Sequence, residues 1–188
     1  MKLFFIVFQF VVGLNLSAQT SMDYENELCD SSLNMPFSER VKVYPFNRAV
    51  SIQFVAYRGT SVNDGYNSDG MPIQDSVICF EDLLEVKTLT LKQVEYFSDL
   101  VVNQRASHMD SIVAIADCYD PRNGILFFDV NGKVFEYVDI CFECSHVYGK
   151  NYRDPFGAFC SNKFSLIRDL FEEVGIEYGI TTTEMLKK

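Results

Sequence analysis

Three of the six cysteines in this 188-residue chain, Cys118, Cys141 and Cys144, fall in one short stretch that also holds Arg122 and His146. Thiols so grouped can serve three chemistries. They can pair as structural disulfides, each contributing about 2 to 4 kcal/mol, as an even cysteine count in an exported chain suggests. Cys141-Phe-Glu-Cys144 has the Cys-x-x-Cys spacing of dithiol exchange, provided the first thiol is acidified by a helix N-terminus. The same two sulfurs, with Cys118 and either His146 or Cys160, could fill four tetrahedral positions around zinc. Context separates the three. Cys141-Phe-Glu-Cys144 ends a predicted hairpin and runs toward Gly149 and Pro155, not into a long helix, and Glu143 between the sulfurs raises a thiol pKa. A second zinc knuckle is missing, and an oxidising compartment converts thiolates to disulfides. Cys-Phe-Glu-Cys-Ser-His is not Cys-x-x-Cys-His, so covalent haem attachment is not indicated. The reading adopted is disulfide structure without a cofactor. Zinc on Cys118, Cys141, Cys144 and His146, or thiol redox chemistry, is the alternative.

The compartment follows from the N-terminus. Lys2 is a minimal basic region, Leu3 to Val12 is apolar apart from Gln9, and Leu16-Ser17-Ala18 precedes Gln19 as a small-residue cleavage site. That pattern predicts a signal peptide over residues 1 to 18 and an exported protein, periplasmic or secreted. A membrane span needs about 20 apolar residues, which this run does not reach, so no stable anchor is expected after cleavage. No cysteine lies at the cleavage site to accept a lipid. The remaining length suits a single domain, with residues 19 to 40 a polar arm and 41 to 188 the globular part. A net charge of −10, with no Lys/Arg stripe interleaved with aromatics, opposes nucleic acid and anionic lipid surfaces.

The elements that would position the cysteines can be read from periodicity. Val50, Ile52, Phe54 and Ala56 alternate with Ser51, Gln53, Val55 and Tyr57, predicting a strand with one face on a core. Gly59 to Gln74 is rich in turn formers and reads as a long loop; its Asp64, Asn67 and Asp69 lack the glutamate that would complete a calcium loop. Short apolar runs at Val77 to Phe80 and Leu84 to Leu89 suggest strands. Thr90-Leu-Lys-Gln93 is a capping box opening a helix to about Val102, with Leu91, Val94, Phe97, Leu100 and Val101 as its apolar stripe. Further strands are expected at Ile112 to Cys118 and Ile125 to Val130. Asn131-Gly132 then marks a two-residue turn returning through Lys133 to Cys141. Ser145 to Phe159 reads as irregular. A second helix, capped by Asn162 and stopped at Gly175, carries Phe164, Ile167, Leu170, Phe171 and Val174, and the tail from Ile176 can add a short edge strand. The fold class is α+β: an antiparallel sheet around a central hairpin, with two helices on one face.

If the turn has two residues, Val130 pairs with Lys133 and Cys141 lies opposite Arg122. Neighbouring strands are about 4.8 Å apart, so Cys118 and Cys141 on two strands flanking a third would be about 10 Å apart, beyond disulfide reach. Cys144 can fold back, so a Cys118 to Cys144 bridge fits better than Cys118 to Cys141. Cys29, Cys79, Cys141 and Cys160 are left to sort among themselves.

Cys118-Tyr-Asp-Pro-Arg-Asn-Gly-Ile-Leu-Phe-Phe-Asp129, Gly132-Lys133 and Ile140-Cys-Phe-Glu-Cys144 together resemble a pattern of small, uncharacterised exported bacterial proteins. The resemblance covers about residues 84 to 145. It implies that Cys118, Arg122, Cys141 and Cys144 act as one unit, and it brings no activity with it. In that pattern Pro-Arg is commonly followed by His, where this chain has Asn123. Arg122 can pin its turn through Asp120 or present a guanidinium to an anionic ligand. His108 and His146, the two histidines, belong to no nucleophile motif, and there is no Gly-rich phosphate loop or His-Glu-x-x-His. The paired carboxylates Glu81-Asp82 and Glu172-Glu173 read as solvated. The expected function is therefore that of a non-enzymatic binding or structural domain, its partner a protein or small ligand, met through Arg122 and the loop 59 to 74.

Overall fold

In a computed structural model the described residues are 29–31, 33–59, 70–74, 77–105, 119–151, 155–156, 160 and 162–180. The expected signal peptide, His108, Cys118, the 112 to 118 strand and the Asp64, Asn67 and Asp69 cluster lie outside them.

The chain forms β1 (Asp30–Ser31), α1 (Phe37–Arg40), β2 (Ser51–Tyr57), β3 (Ile73–Gln74) and β4 (Val77–Ile78). A 3-10 turn (Phe80–Asp82) leads into β5 (Leu83–Thr88), α2 (Leu91–Val102) and β6 (Gln104–Arg105). Then come β7 (Asn123–Phe128), β8 (Val134–Cys141), β9 (His146–Gly149) and α3 (Lys163–Glu173). Five strands make one antiparallel sheet in the order β5-β2-β7-β8-β9. The α+β architecture with an antiparallel sheet is as the periodicity implied.

Alternation in β2 decides which residues meet the helices. Ile52, Phe54 and Ala56 join Ile125, Phe127, Val138 and Ile140 on one face of the sheet, against Phe97 and Leu100 of α2 and Ile167 and Phe171 of α3. Phe54 stacks on Phe171 with ring centroids 4.0 Å apart, and Phe97 meets Phe54 edge-on at 5.4 Å. Such aromatic contacts add about 0.5 to 1.5 kcal/mol to the burial itself. The capping box of α2 is present in full: Thr90 Oγ1 accepts from the Gln93 N–H, and Gln93 Oε1 accepts from the Thr90 N–H. Leu91, counted into the apolar stripe, is instead exposed at the first position of the helix.

The opposite face differs from expectation. Val55 and Tyr57 were assigned to the solvent side; both are fully buried, in a second cluster with Met71, Ile78 and Leu126. The antiparallel β3–β4 pair covers them, so the end of the expected long loop is a strand. Residues 146 to 149, expected to be irregular, form an edge strand on β8, whereas no strand is found from Ile176 to Ile180.

The hairpin holds the expected register by an unexpected route. Gly132 N–H donates to the Asp129 carbonyl and Asp129 N–H to the Lys133 carbonyl, with Gly132 at φ +73°. This is a three-residue loop with a left-handed glycine, not a two-residue turn. Phe128 consequently faces Val134, one step off, and a bulge that leaves Phe135 unmatched restores Phe127 opposite Glu136. From there to Asn123 opposite Ile140 the pairing is the one that places Arg122 beside Cys141.

The polar arm is anchored from Cys29 onward. β1 pairs with β6, Cys29 is bonded to Cys160, and the Cys29 N–H donates to Asn162 Oδ1 at 2.8 Å. Asn162 sits at the N-cap of α3 as expected, but its side chain serves Cys29 and not the helix. Arg40 is buried, donating from Nε to Ser98 Oγ, from Nη1 to the Met35 carbonyl and from Nη2 to the Glu95 carbonyl. It thereby fastens α1 to α2. At its other end α3 closes as expected at Gly175 (φ +85°): Ile176 N–H reaches the Phe171 carbonyl and Gly175 N–H that of Glu172, a Schellman pattern.

Candidate functional site

Cys141 is the last residue of β8 and pairs across the ladder with His146, so Phe142-Glu143-Cys144-Ser145 is the loop of a second hairpin. Ser145 makes the reversal at φ +50°. The Cys144 N–H points at Cys141 Sγ at 3.2 Å. Both cysteines are almost wholly buried, and Cys141, like Cys79, stands outside any disulfide. Since a strand and not a helix follows, Cys141 lacks the helix N-terminus that acidifies redox thiols. Among the described residues no three Cys, His, Asp or Glu side chains converge on a metal position; Cys118, the fourth member of the alternative zinc set with Cys141, Cys144 and His146, lies outside them. Cys160 is committed elsewhere. It precedes α3 and is bonded to Cys29, Cα atoms 4.9 Å apart, across 131 residues of sequence. The expected Cys118 to Cys144 bridge lies outside the described residues.

Arg122 takes the turn-pinning geometry. Its Nε and Nη2 donate to Asp120 Oδ2 at 3.2 and 2.7 Å, and Nη2 lies 3.9 Å from Glu143 Oε2. The hydrogen bond to Asp120 holds the guanidinium pKa above its ordinary value. One side chain thus links the turn before β7 to the Cys-x-x-Cys loop. Asn123, next along, is fully buried and donates from Nδ2 to the Tyr178 carbonyl at 2.8 Å, tying β7 to the segment after α3.

Beneath the cysteine loop lies a polar group that periodicity missed. The Tyr57 hydroxyl sits 2.7 Å from Asp139 Oδ1 and 2.9 Å from the Asn123 carbonyl, with one proton to donate between two acceptors. Asp139 is also almost entirely buried. Burial, and then the Asp139 charge, push the Tyr57 pKa well up. Tyr119, whose ring centroid is 4.9 Å from that of His146, is likewise raised, first by burial and next by Asp139. Its hydroxyl and His146 Nδ1 are buried without a hydrogen-bond partner among the described residues. The available signal was the apolar pair Val55 and Tyr57 on a face that should have been polar.

At the other end of the hairpin a cavity of about 320 Å³ opens between β3–β4 and the β7–β8 loop. Ile73, Val77, Ile78 and Phe80 wall it on one side, and Val134 and Tyr137 on the other. Lys133 and Lys150 stand at it, the Lys150 ammonium 5.9 Å from the Tyr137 ring centroid. Among the described residues no Asp or Glu lines it, and neither lysine is in an ion pair. The cavity lies away from Arg122, and sequence reasoning missed it because β3, one strand of its wall, was taken for loop.

No family model, curated protein or solved structure matches this chain. No helix among the described residues is long and apolar enough to cross a membrane.

Proposed function

We propose that the chain is an exported, disulfide-held binding domain without catalytic machinery of its own. The cavity of about 320 Å³ carries this reading: it has the size and apolar lining of small-ligand sites, with a few polar groups at one side. The N-terminal apolar run with its small-residue cleavage site and the Cys29–Cys160 bond support export. Arg122, held by Asp120 and close to Glu143, acts as a brace for the cysteine loop and not as the ligand's anchor.

The test is amide NMR of the mature protein titrated separately with three probes sharing one aliphatic chain: decanoate, decan-1-ol and decylammonium. Saturable shifts concentrated at Ile78, Val134 and Tyr137 for at least one probe are expected. Shifts for none of the three would overturn the binding reading. For export, intact-mass analysis is expected to give a chain starting at Gln19 in which Cys29 and Cys160 resist alkylation until reduced. A retained N-terminus, or unreduced labelling at Cys29 and Cys160, would overturn that part.

A further inference from the structure

The charges around the cavity run against those of the molecule. The chain carries a net charge of −10, yet among the described residues the charged side chains lining this cavity are Lys133 and Lys150, with no described carboxylate beside them there. Unpaired ammonium groups beside an apolar chamber are complementary to an anion with an apolar body. The walls are mainly branched aliphatic, from Ile73, Ile78 and Val134, which suits a flexible hydrocarbon chain better than a flat ring system. The head group can be narrowed too. Two point-charge lysines, with no arginine fork among the described lining residues, match a small monoanion, whereas phosphates are commonly gripped by bidentate guanidinium. The surrounding negative field also repels a dianion more strongly than a monoanion.

Resting on the binding reading above, we propose that the cavity takes a single aliphatic carboxylate, its chain among Ile73, Ile78 and Val134 and its head at Lys133 and Lys150. Tyr137 then has a positioning part: its ring lies beneath the Lys150 ammonium and holds that charge at the cavity.

Calorimetric titration at neutral pH and low salt tests this on the mature protein. Decanoate is expected to bind with one site and about tenfold tighter than decan-1-ol, the combined effect of two partly solvated charge contacts. The double variant Lys133→Met/Lys150→Met keeps the aliphatic stems; it is expected to lose that tenfold preference while holding decan-1-ol unchanged. Raising the salt is expected to shrink the preference in the parent only. Equal affinities for decanoate and decan-1-ol, or tighter binding of decylammonium, would overturn the carboxylate assignment and leave the binding reading standing. Failure of all three probes would overturn both. Ile78→Trp, which fills the chamber without touching either lysine, is expected to abolish binding of both ligands; undiminished decanoate binding in a folded Ile78→Trp protein would place the anion elsewhere and refute the proposal.

Discussion

Replacing Tyr57 by Phe removes one oxygen from the middle of the smaller core and tests the polar group beneath the cysteine loop. At neutral pH the hydroxyl has buried acceptors at 2.7 and 2.9 Å, one of them a carboxylate oxygen. Hydrogen bonds to charged groups contribute about 1.5 to 3 kcal/mol, so Tyr57→Phe is expected to destabilise by about 2 kcal/mol. In a domain of this size that corresponds to about 4 to 8 °C in Tm. The pH dependence sharpens the test. Burial raises the Tyr57 pKa well above its ordinary 10.0, so the unfolded chain loses this proton first as pH rises. Above pH 10 the folded state then binds more protons than the unfolded state, and stability falls. By pH 11 the phenol's share of the loss is about 1.4 kcal/mol, and Phe has no such proton. The gap between parent and variant should therefore close from about 2 kcal/mol at pH 8 to well under 1 kcal/mol at pH 11. Tyr44 and Tyr96, raised by groups that do not include Tyr57 or Asp139, cancel in the difference. Urea unfolding at stepped pH measures it. A gap that stays constant from pH 8 to pH 11 would mean that Tyr57 ionises as easily in the fold as outside it, and the burial argument would fail.

Lys163 gives the opposite slope. Burial, with Arg105 nearby, lowers its pKa from 10.5 to about 7, so between these values the unfolded chain binds the extra proton and stability rises with pH. Lys163→Met is expected to remove up to about 1.4 kcal/mol per pH unit from that rise; parallel pH profiles for the two proteins would refute it. The Cys29→Ser/Cys160→Ser pair opens a cross-link spanning 131 residues. It is expected to lower unfolding free energy by about 2 to 4 kcal/mol under non-reducing conditions, read as a shift in the urea midpoint, and an unchanged midpoint would count against a structural bond.

What could be read from the sequence was local. The Thr90 to Gln93 capping box and the Gly175 stop depend on residues within a turn or two of one another, and both form as expected. The hairpin register was legible because buried Ile125 and Phe127 must face the core whatever the loop does, even though the loop itself was misjudged. What was not legible was set by distant partners. Nothing near Val55 and Tyr57 signals that β3–β4 will cover them. Nor does Asn162 announce that its cap oxygen will go to Cys29, 133 residues away. The edge strand β9 was missed because its four residues, two half-buried, one exposed and one a buried glycine, carry no clear alternation. Of the cysteine group, only the placing of Cys141 beside Arg122 followed from the register; the pairing of Cys141 with His146 came with β9 and was not foreseen. Nor was the bonding of Cys160, since its partner comes from the arm.

The sheet divides the interior into two apolar clusters with no residue in common. The larger, against the helices, holds the stacked phenylalanines, while the smaller is closed by a short hairpin and opens into the cavity. Substitutions separated by a layer of hydrogen-bonded backbone and sharing no partners tend to act additively. A lineage of such chains can therefore reshape the cavity wall at Ile73, Val77 or Ile78 without repacking Phe54 against Phe171. The scaffold's endurance and, on the binding reading proposed above, its ligand preference become separately heritable traits, written on opposite faces of the same sheet.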